Sequence, residues 1–387
     1  MASPPSPEQR LQARAEQART WLFDAAFPLW SARAFDVARG CFFERIGADG
    51  APLLEPTRVR VQARQTAVFA IAGQLGWQGP WADTVEAGLG VLRTRCLRAD
   101  GGNHHTLGVD GAPLDQRRHL YDLAFILFAL ANAAAALGQR RDLIAAADAQ
   151  LSWLDTHWAH AHGGYHEGEV APNPPRRQNP HMHLFEALLA LYEATGAAPY
   201  LQRAAAIHEL AITHFYDAEH GVVREFFQED LRPAAGAQGA YIEPGHLFEW
   251  SWLLDRYSRL SGEALPPAAA RLCAEAERRG VNPATGAVYN ACTLDGSVRD
   301  ADSRLWTHTE RLKAHLAAFA RTQEPAHAEA AVHAFDTLMR FCDTPIKGLW
   351  RDRMVSDGTL IDEPAPASSF YHIVLGMAEL IGVAATR

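Results

Sequence analysis

The sequence is poor in cysteine. Five residues, Cys41, Cys96, Cys273, Cys292 and Cys342, are spread over 387 positions, and no two form a CxxC pair. An odd number at such distances makes neither a disulfide framework nor a zinc ribbon, and it suits a reducing, cytoplasmic setting. Positive charge is also scarce: 36 Lys and Arg stand against 45 Asp and Glu, a formal net charge of −9. This argues against nucleic acid or an anionic membrane as partner, since both select a basic surface. The run Met1-Ala-Ser-Pro-Pro-Ser-Pro-Glu8 has no basic segment leading into an apolar one, so no secretory signal is expected. The most apolar stretch, Leu123 to Gly138, is Ala-rich and broken by Asn132. It falls short of the roughly 20 residues of a membrane span and reads as a buried helix. HExxH, Walker A and a strand-borne GxGxxG are all absent, so the common motif routes to zinc and nucleotide chemistry are closed.

What the chain does have is a period. A Gly-led extended motif starts at Gly40, Gly102, Gly164, Gly221, Gly286 and Gly348, in steps of 62, 62, 57, 65 and 62 residues. Four copies run into a DG turn: Asp49-Gly50, Asp110-Gly111, Asp295-Gly296 and Asp357-Gly358. Between the motifs lie paired helical segments. The first of each pair is apolar all round: 60–77, 118–137, 182–195, 246–261, 305–321 and 370–383. The second is amphipathic: 81–97, 142–158, 199–215, 267–279 and 326–342. The segment 8–27 supplies the missing sixth partner. An all-round apolar helix is buried and a one-sided one faces water. The expectation is therefore an all-α fold, an α/α six-fold toroid of six inner and six outer helices with short hairpin-like inserts. An open solenoid is the alternative. Residues 1–387 would form one catalytic domain, with about residues 1–7 as a flexible tail.

Helix starts can be read at Asn179-Pro180, Glu243-Pro244 and Ser368-Ser369, with Thr57, Asp115 and Asp302 as caps for the other inner helices. From these starts His183, His246 and His372 fall three or four residues in, Trp306 four, Tyr121 and Glu249 six, Arg64 seven and Glu310 eight. If these faces point to the axis, three histidines, an arginine, two carboxylates and two aromatics converge at one mouth. Polar groups on apolar helices need a reason, because burying them unpaired is costly. Each also has a plain alternative: a single histidine bonding backbone, Arg64 paired with Glu310 or Glu55, Trp306 in the core. His157, His160, His162 and His166 form a dense run with no established metal spacing, so no metal is expected there. The other eleven histidines, His181, His308 and His315 among them, read as surface or loop residues.

Histidine can take and give protons near neutrality. Paired histidines without a metal or other cofactor suit proton transfer at a carbon beside a carbonyl, as in sugar isomerisation and 2-epimerisation. Arg64 and the helix N-termini would stabilise the enediolate anion, and the same helix ends would hold the histidines toward their neutral form.

The runs Arg58-Val-Arg-Val-Gln-Ala-Arg64-Gln, Asn179-Pro-His-Met-His183-Leu-Phe-Glu186-Ala, Pro244-Gly-His246-Leu-Phe-Glu249-Trp250, Leu305-Trp306-Thr-His-Thr-Glu310-Arg-Leu-Lys-Ala and Ser368-Ser-Phe-Tyr-His372 resemble the N-acylglucosamine 2-epimerase superfamily. Within it the sequence looks most like the bacterial D-mannose isomerases. The resemblance covers nearly the whole chain and implies the α/α barrel. It implies His246 and His372 as acid/base groups, His183 in ring opening or hydroxyl recognition, Arg64 on the substrate oxygens, and Glu249 orienting the acid/base histidine. Asn179, Tyr121, Trp306 and Glu310 would line the pocket. His308 is a local departure from the pattern. The implied reaction is D-mannose to D-fructose on a free monosaccharide, since nothing resembles a phosphate cradle. A 2-epimerase is the alternative. A glycoside hydrolase using Glu249 and Glu310 would leave the histidines without a role, and a non-catalytic sugar-binding ring would not need them. The expected partner is a small sugar, with no nucleic acid or membrane, on a monomer or homodimer.

Overall fold

The computed structural model describes residues 5–169 and 175–385. Among the described residues twelve long helices follow one another in chain order, beside a single short turn at Gly236–Gly239. The outer helix α1 is continuous from Pro7–Thr20 through a π-helical turn, Trp21–Ala26, to Phe27–Arg33. Then come α2 (Val59–Gln74), α3 (Trp81–Val91, extended by Leu92–Cys96) and α4 (Leu120–Ala136). They are followed by α5 (Arg141–His157), α6 (Gln178–Thr195) and α7 (Ala198–Leu210, extended by Ala211–Phe215). The chain ends with α8 (Pro244–Ser261), α9 (Pro267–Gly280), α10 (Leu305–Thr322), α11 (Pro325–Phe341) and α12 (Ala367–Ala385).

The even-numbered helices form the inner ring. Each packs on the next, and α12 closes the circle on α2. The odd-numbered helices lie outside, each against the inner helix before it, and α1 covers α12. The architecture is the expected α/α toroid, and the open solenoid is excluded by this closure. At the seam Trp30 stacks on Trp350 with centroids 4.7 Å apart, and its Nε1 donates to Gly348 O at 3.0 Å. Phe27 and Phe370 complete this apolar cluster; each such buried ring contributes about 1.5–3 kcal/mol.

The N-terminal helix is longer than its sequence pattern suggested. Ser6 caps it through a reciprocal box with Gln9, so only residues before Ser6 could form the expected tail, and residues 1–4 lie outside the described ones. One helix, Ala367–Ala385, is long and apolar enough to cross a membrane by composition. It is α12, an inner wall of the ring, apolar because it is enclosed by protein. All five cysteines are buried and unpaired.

Of the inner helices only α8 starts where the sequence suggested, at Glu243-Pro244; the other five do not. None of those with an assigned cap residue has a side-chain cap. Each helix instead leaves a short extended segment paired antiparallel with the next repeat. Thr57–Arg58 pairs with Thr106–Leu107, Arg176–Arg177 with Phe226–Phe227, and Ser303–Arg304 with Arg353–Met354. Ala365–Pro366 pairs with Arg45–Ile46, which joins the last repeat to the first. The Gly-led motif supplies the cap: the carbonyls of His105, Glu167, Glu225, Asp352 and Glu44 accept the first N–H of α2, α4, α6, α10 and α12. All six motif glycines have positive φ, the region that favours glycine.

A buried side chain holds this motif in three repeats. Gln62, His181 and His308 are each the fourth residue of an inner helix. They accept backbone N–H bonds from Phe42, Tyr165 and Val288 at 2.7, 3.1 and 3.2 Å. His181 and His308 are therefore core pins rather than surface residues, and His308 no longer stands as an unexplained departure. His315 is also buried, between Glu277 and His327.

Candidate active site

Because the inner helices run in one direction, their N-terminal halves meet at one end of the ring. Counted from the observed starts, the sixth residue of each forms one level: Arg64, Phe125, His183, Glu249, Glu310 and His372. One turn nearer the mouth the second residues form another: Arg60, Tyr121, Asn179, Gly245, Trp306 and Ser368. His246 is the third residue of α8 and lies between the levels. The matching offsets expected for the three histidines thus hold for His183 and His372 only.

These residues surround a cavity of about 660 Å³, a size that suits a small ligand. Arg64, His183, His246, Glu249, His372, Tyr121, Asn179 and Trp306 all line it. Glu310 does not; it is fully buried beneath them. His105 and His119, expected as surface or loop residues, also line the cavity.

Each site histidine carries a carboxylate on Nδ1. His246 Nδ1 donates to Glu225 Oε1 at 2.9 Å, His372 Nδ1 to Glu310 Oε1 at 2.9 Å, and His183 Nδ1 to Glu186 Oε2 at 3.2 Å. Such a bond fixes the ring and leaves Nε2 for chemistry. The rings of His246 and His372 lie 5.2 and 5.6 Å from Trp306. Gly245 gives Trp306 its place: a Cβ there would meet the indole at 2.6 Å.

The residue expected to orient His246 does not. Glu249 makes no hydrogen bond at either oxygen; its Oε1 is 3.9 Å from His183 Nδ1. Glu225 has the orienting role and is itself held by Gln178 Nε2 at 2.8 Å. It lies outside every helix, in the Gly221 motif, so a search restricted to helix faces passes over it. Its position at the end of a repeated motif was the available signal. Glu186 was present in the matched run His183-Leu-Phe-Glu186, where an i,i+3 spacing already implies contact.

Arg64 pairs with neither Glu310 nor Glu55. Its Nη1 donates to Ser368 O at 3.0 Å and its Nη2 to Tyr121 Oη at 2.9 Å, with Phe125 4.0 Å beneath its guanidinium. Its charge is therefore uncancelled by any direct carboxylate contact. Asn179 Oδ1 is buried without a partner among the described residues. Below the cavity Lys313 Nζ lies 2.6 Å from Glu310 Oε2 and 3.7 Å from the Trp252 ring centroid. Tyr371 Oη donates to Glu186 Oε2.

The electrostatics divide the histidines. Burial works against a charged His246, but Glu225 and Glu243 outweigh it and raise its pKa to about 10. Burial, then the charges of Arg64 and Lys313, hold His372 well below 6.5. Burial likewise lowers His183 to about 4, against Glu186. The expectation of uniformly neutral histidines thus fails at His246, where carboxylates dominate. Burial, reinforced by Glu310, pushes the Glu249 carboxyl well above its usual range.

Among the described residues three sets of ligand atoms here lie close enough to hold a metal: Glu225/Glu243/His246, His183/Glu186/Glu249 and Glu249/Glu310/His372. In each, the histidine nitrogen nearest the carboxylates is the one already bonded to them. The run His157–His166 does not assemble into such a set: His160 is held between Arg176 and Glu229, and His157 bonds Trp153 O.

The chain matches the N-acylglucosamine 2-epimerase (GlcNAc 2-epimerase) family over residues 41–376. It is 41% identical over 369 residues to a protein of Rhizobium meliloti named mannose-6-phosphate isomerase, covering 93% of this chain and 95% of that one. A solved D-mannose isomerase superposes with a TM-score of 0.83 at 22% identity, covering 98% of this chain and 100% of that one. The cellobiose 2-epimerase of Spirochaeta thermophila superposes with a TM-score of 0.87 at 23% identity, covering 97% and 98%.

Proposed function

Since this chain belongs to the N-acylglucosamine 2-epimerase family, we propose that it is a sugar isomerase interconverting the D-mannose and D-fructose skeletons by histidine acid/base catalysis. The observation that carries this reading is the opposite tuning of two histidines on either side of Trp306. Environments that push two pKa values apart assign the base and the acid. In the open-chain aldose, neutral His372 Nε2 takes the C2 proton while cationic His246 protonates O1. The resulting enediol lies beside Arg64, whose charge stabilises it as it forms. His372 then returns its proton to C1 as His246 removes the proton on O2. The ketose leaves and both histidines regain their starting states. His183, Asn179 and Tyr121 hold hydroxyls, and Trp306 offers a flat face to the sugar.

A second reading, 2-epimerisation, is supported by the same placement. With His246 and His372 both beside Trp306, return of a proton to the far face of C2 gives the epimer. The name of the 41% identical relative favours the isomerase. A glycosidase is disfavoured by Glu310, which is sealed under His372 and cannot reach a glycosidic bond.

The test is incubation with D-mannose in D2O, followed by NMR. Fructose carrying deuterium at C1 is the expected product. Glucose with deuterium at C2 would instead establish epimerisation. No exchange into mannose, mannose 6-phosphate, N-acetylmannosamine or cellobiose would refute both.

A further inference from the structure

The residues just before the inner helices are Arg58, His119, Arg177, Glu243, Arg304 and Pro366, and all but Pro366 line the cavity. Arginine occupies three alternate repeats, and all three arginines line the cavity. Two are neutralised. Arg58 Nε donates to Glu44 Oε1 at 2.6 Å, and Arg304 Nη2 to Asp352 Oδ2 at 3.0 Å. Arg177 is different. Among the described residues its guanidinium has no carboxylate, carbonyl or hydroxyl partner; only the Phe226 ring lies under it, at 5.5 Å. Its Nε is buried and unbonded. The adjoining sequence Val-Ala-Pro-Asn-Pro at 170–174 contains no acidic residue. A half-buried guanidinium without an acceptor among the described residues is costly unless a ligand supplies one.

The guanidinium fork matches a phosphate, and the helix N-termini facing the same cavity add to the attraction. Arg177 precedes His183 by six residues, about 9 Å along the helix axis. A sugar whose C1–C2 end reacts at the level of His372 and Arg64 therefore extends its far end toward Arg177.

We propose that Arg177 forms an oxyanion subsite at the mouth, and that the substrate is a hexose carrying a phosphate monoester at the end remote from C1. This rests on the sugar-isomerase reading for its orientation and adds the substrate class. It replaces the free sugar expected from the sequence, where arginines at 58, 177 and 304 form no contiguous cradle.

The test compares D-mannose 6-phosphate with D-mannose in the unaltered protein and in Arg177→Gln. The phosphate should raise kcat/KM about 100-fold through charge-assisted bonds, and this ratio should fall close to one in Arg177→Gln. A ratio near one in the unaltered protein, or one kept in the variant, overturns the proposal. Calorimetry with the non-reacting D-mannitol 1-phosphate separates the two readings. Phosphate-dependent binding lost in Arg177→Gln, with no turnover of either sugar, leaves the subsite standing and removes the isomerase. Turnover without phosphate preference does the reverse.

Discussion

Two histidines of the same cavity, on the same kind of helix, live in opposite fields. His246 faces Glu225, Glu243 and Glu249, and the acids win over burial. His372 faces Arg64, Lys313 and His183, against Glu186 and its own partner Glu310, and burial wins. Both have Nδ1 tied to a carboxylate at 2.9 Å, so the hydrogen bond alone does not decide the charge. The surrounding ions do. Lys313 is one of two lysines in the chain, placed 2.6 Å from Glu310. It offsets the Glu310 carboxylate and, after burial and Arg64, adds to what keeps His372 neutral. Among the described residues Glu225 has no comparable cation; its second oxygen accepts from the neutral amide of Gln178.

The sharpest way to break this comparison is to remove either imidazole. His372→Asn and His246→Asn should each lower kcat by about 10²–10⁴-fold, the worth of a positioned acid or base. Circular dichroism should stay unchanged. Near-normal turnover in either variant would mean the proton route runs elsewhere. A smaller change should convert one histidine toward the other. Glu225→Gln keeps an acceptor for Nδ1 but removes the charge that holds His246 protonated. In the unaltered protein the alkaline limb of kcat/KM should lie near pH 10, where His246 loses its proton. The acid limb should lie below 6.5, where His372 gains one. In Glu225→Gln the alkaline limb should move down by more than one pH unit while the acid limb moves less. An unmoved alkaline limb would show that His246 is not the acid. The linked stability has the same sign: a raised His246 pKa stabilises the fold fully below about 6.5, and this is lost as pH rises through 10.

The ring was legible in the sequence because a 62-residue period and alternating helix chemistry are local properties, repeated six times. Arg64, His183, His246 and His372 were legible because polar residues on apolar helices stand out. Their pairing with the carboxylates that tune them was not. Glu225 reaches His246 from the hairpin of the preceding repeat, and Glu310 reaches His372 from the neighbouring inner helix. Only closure of the ring makes such partners neighbours. The helix starts were misread for a related reason. Local capping rules look for Ser, Thr, Asp or Asn, whereas here the next repeat supplies the cap through a backbone carbonyl. An error of two residues at α6 and α12, with none at α8, made His246 look equivalent to His183 and His372.

A third histidine sharpens the contrast from the other side. His308 is as buried as His372, and its pKa is also pushed down, to about 3, chiefly by burial. Yet both its nitrogens are used by backbone: Nδ1 donates to Arg304 O at 3.1 Å and Nε2 accepts from Val288 N at 3.2 Å. A depressed pKa with no free nitrogen is a structural signature, and the same position in the first repeat is filled by Gln62, which cannot titrate. Gln62 accepts from Phe42 N at 2.7 Å and donates to Phe42 O at 2.9 Å. His308→Gln should therefore transplant a solution the ring already uses. The cost should be no more than about 1 kcal/mol, the worth of one net hydrogen bond, with kcat nearly preserved and the pH limbs unmoved. His308→Ala leaves the Val288 N–H unsatisfied and should cost about 1–3 kcal/mol, still with little effect on kcat. If the melting temperature is unchanged in His308→Ala while kcat collapses, this histidine belongs with His246 and His372 rather than with Gln62.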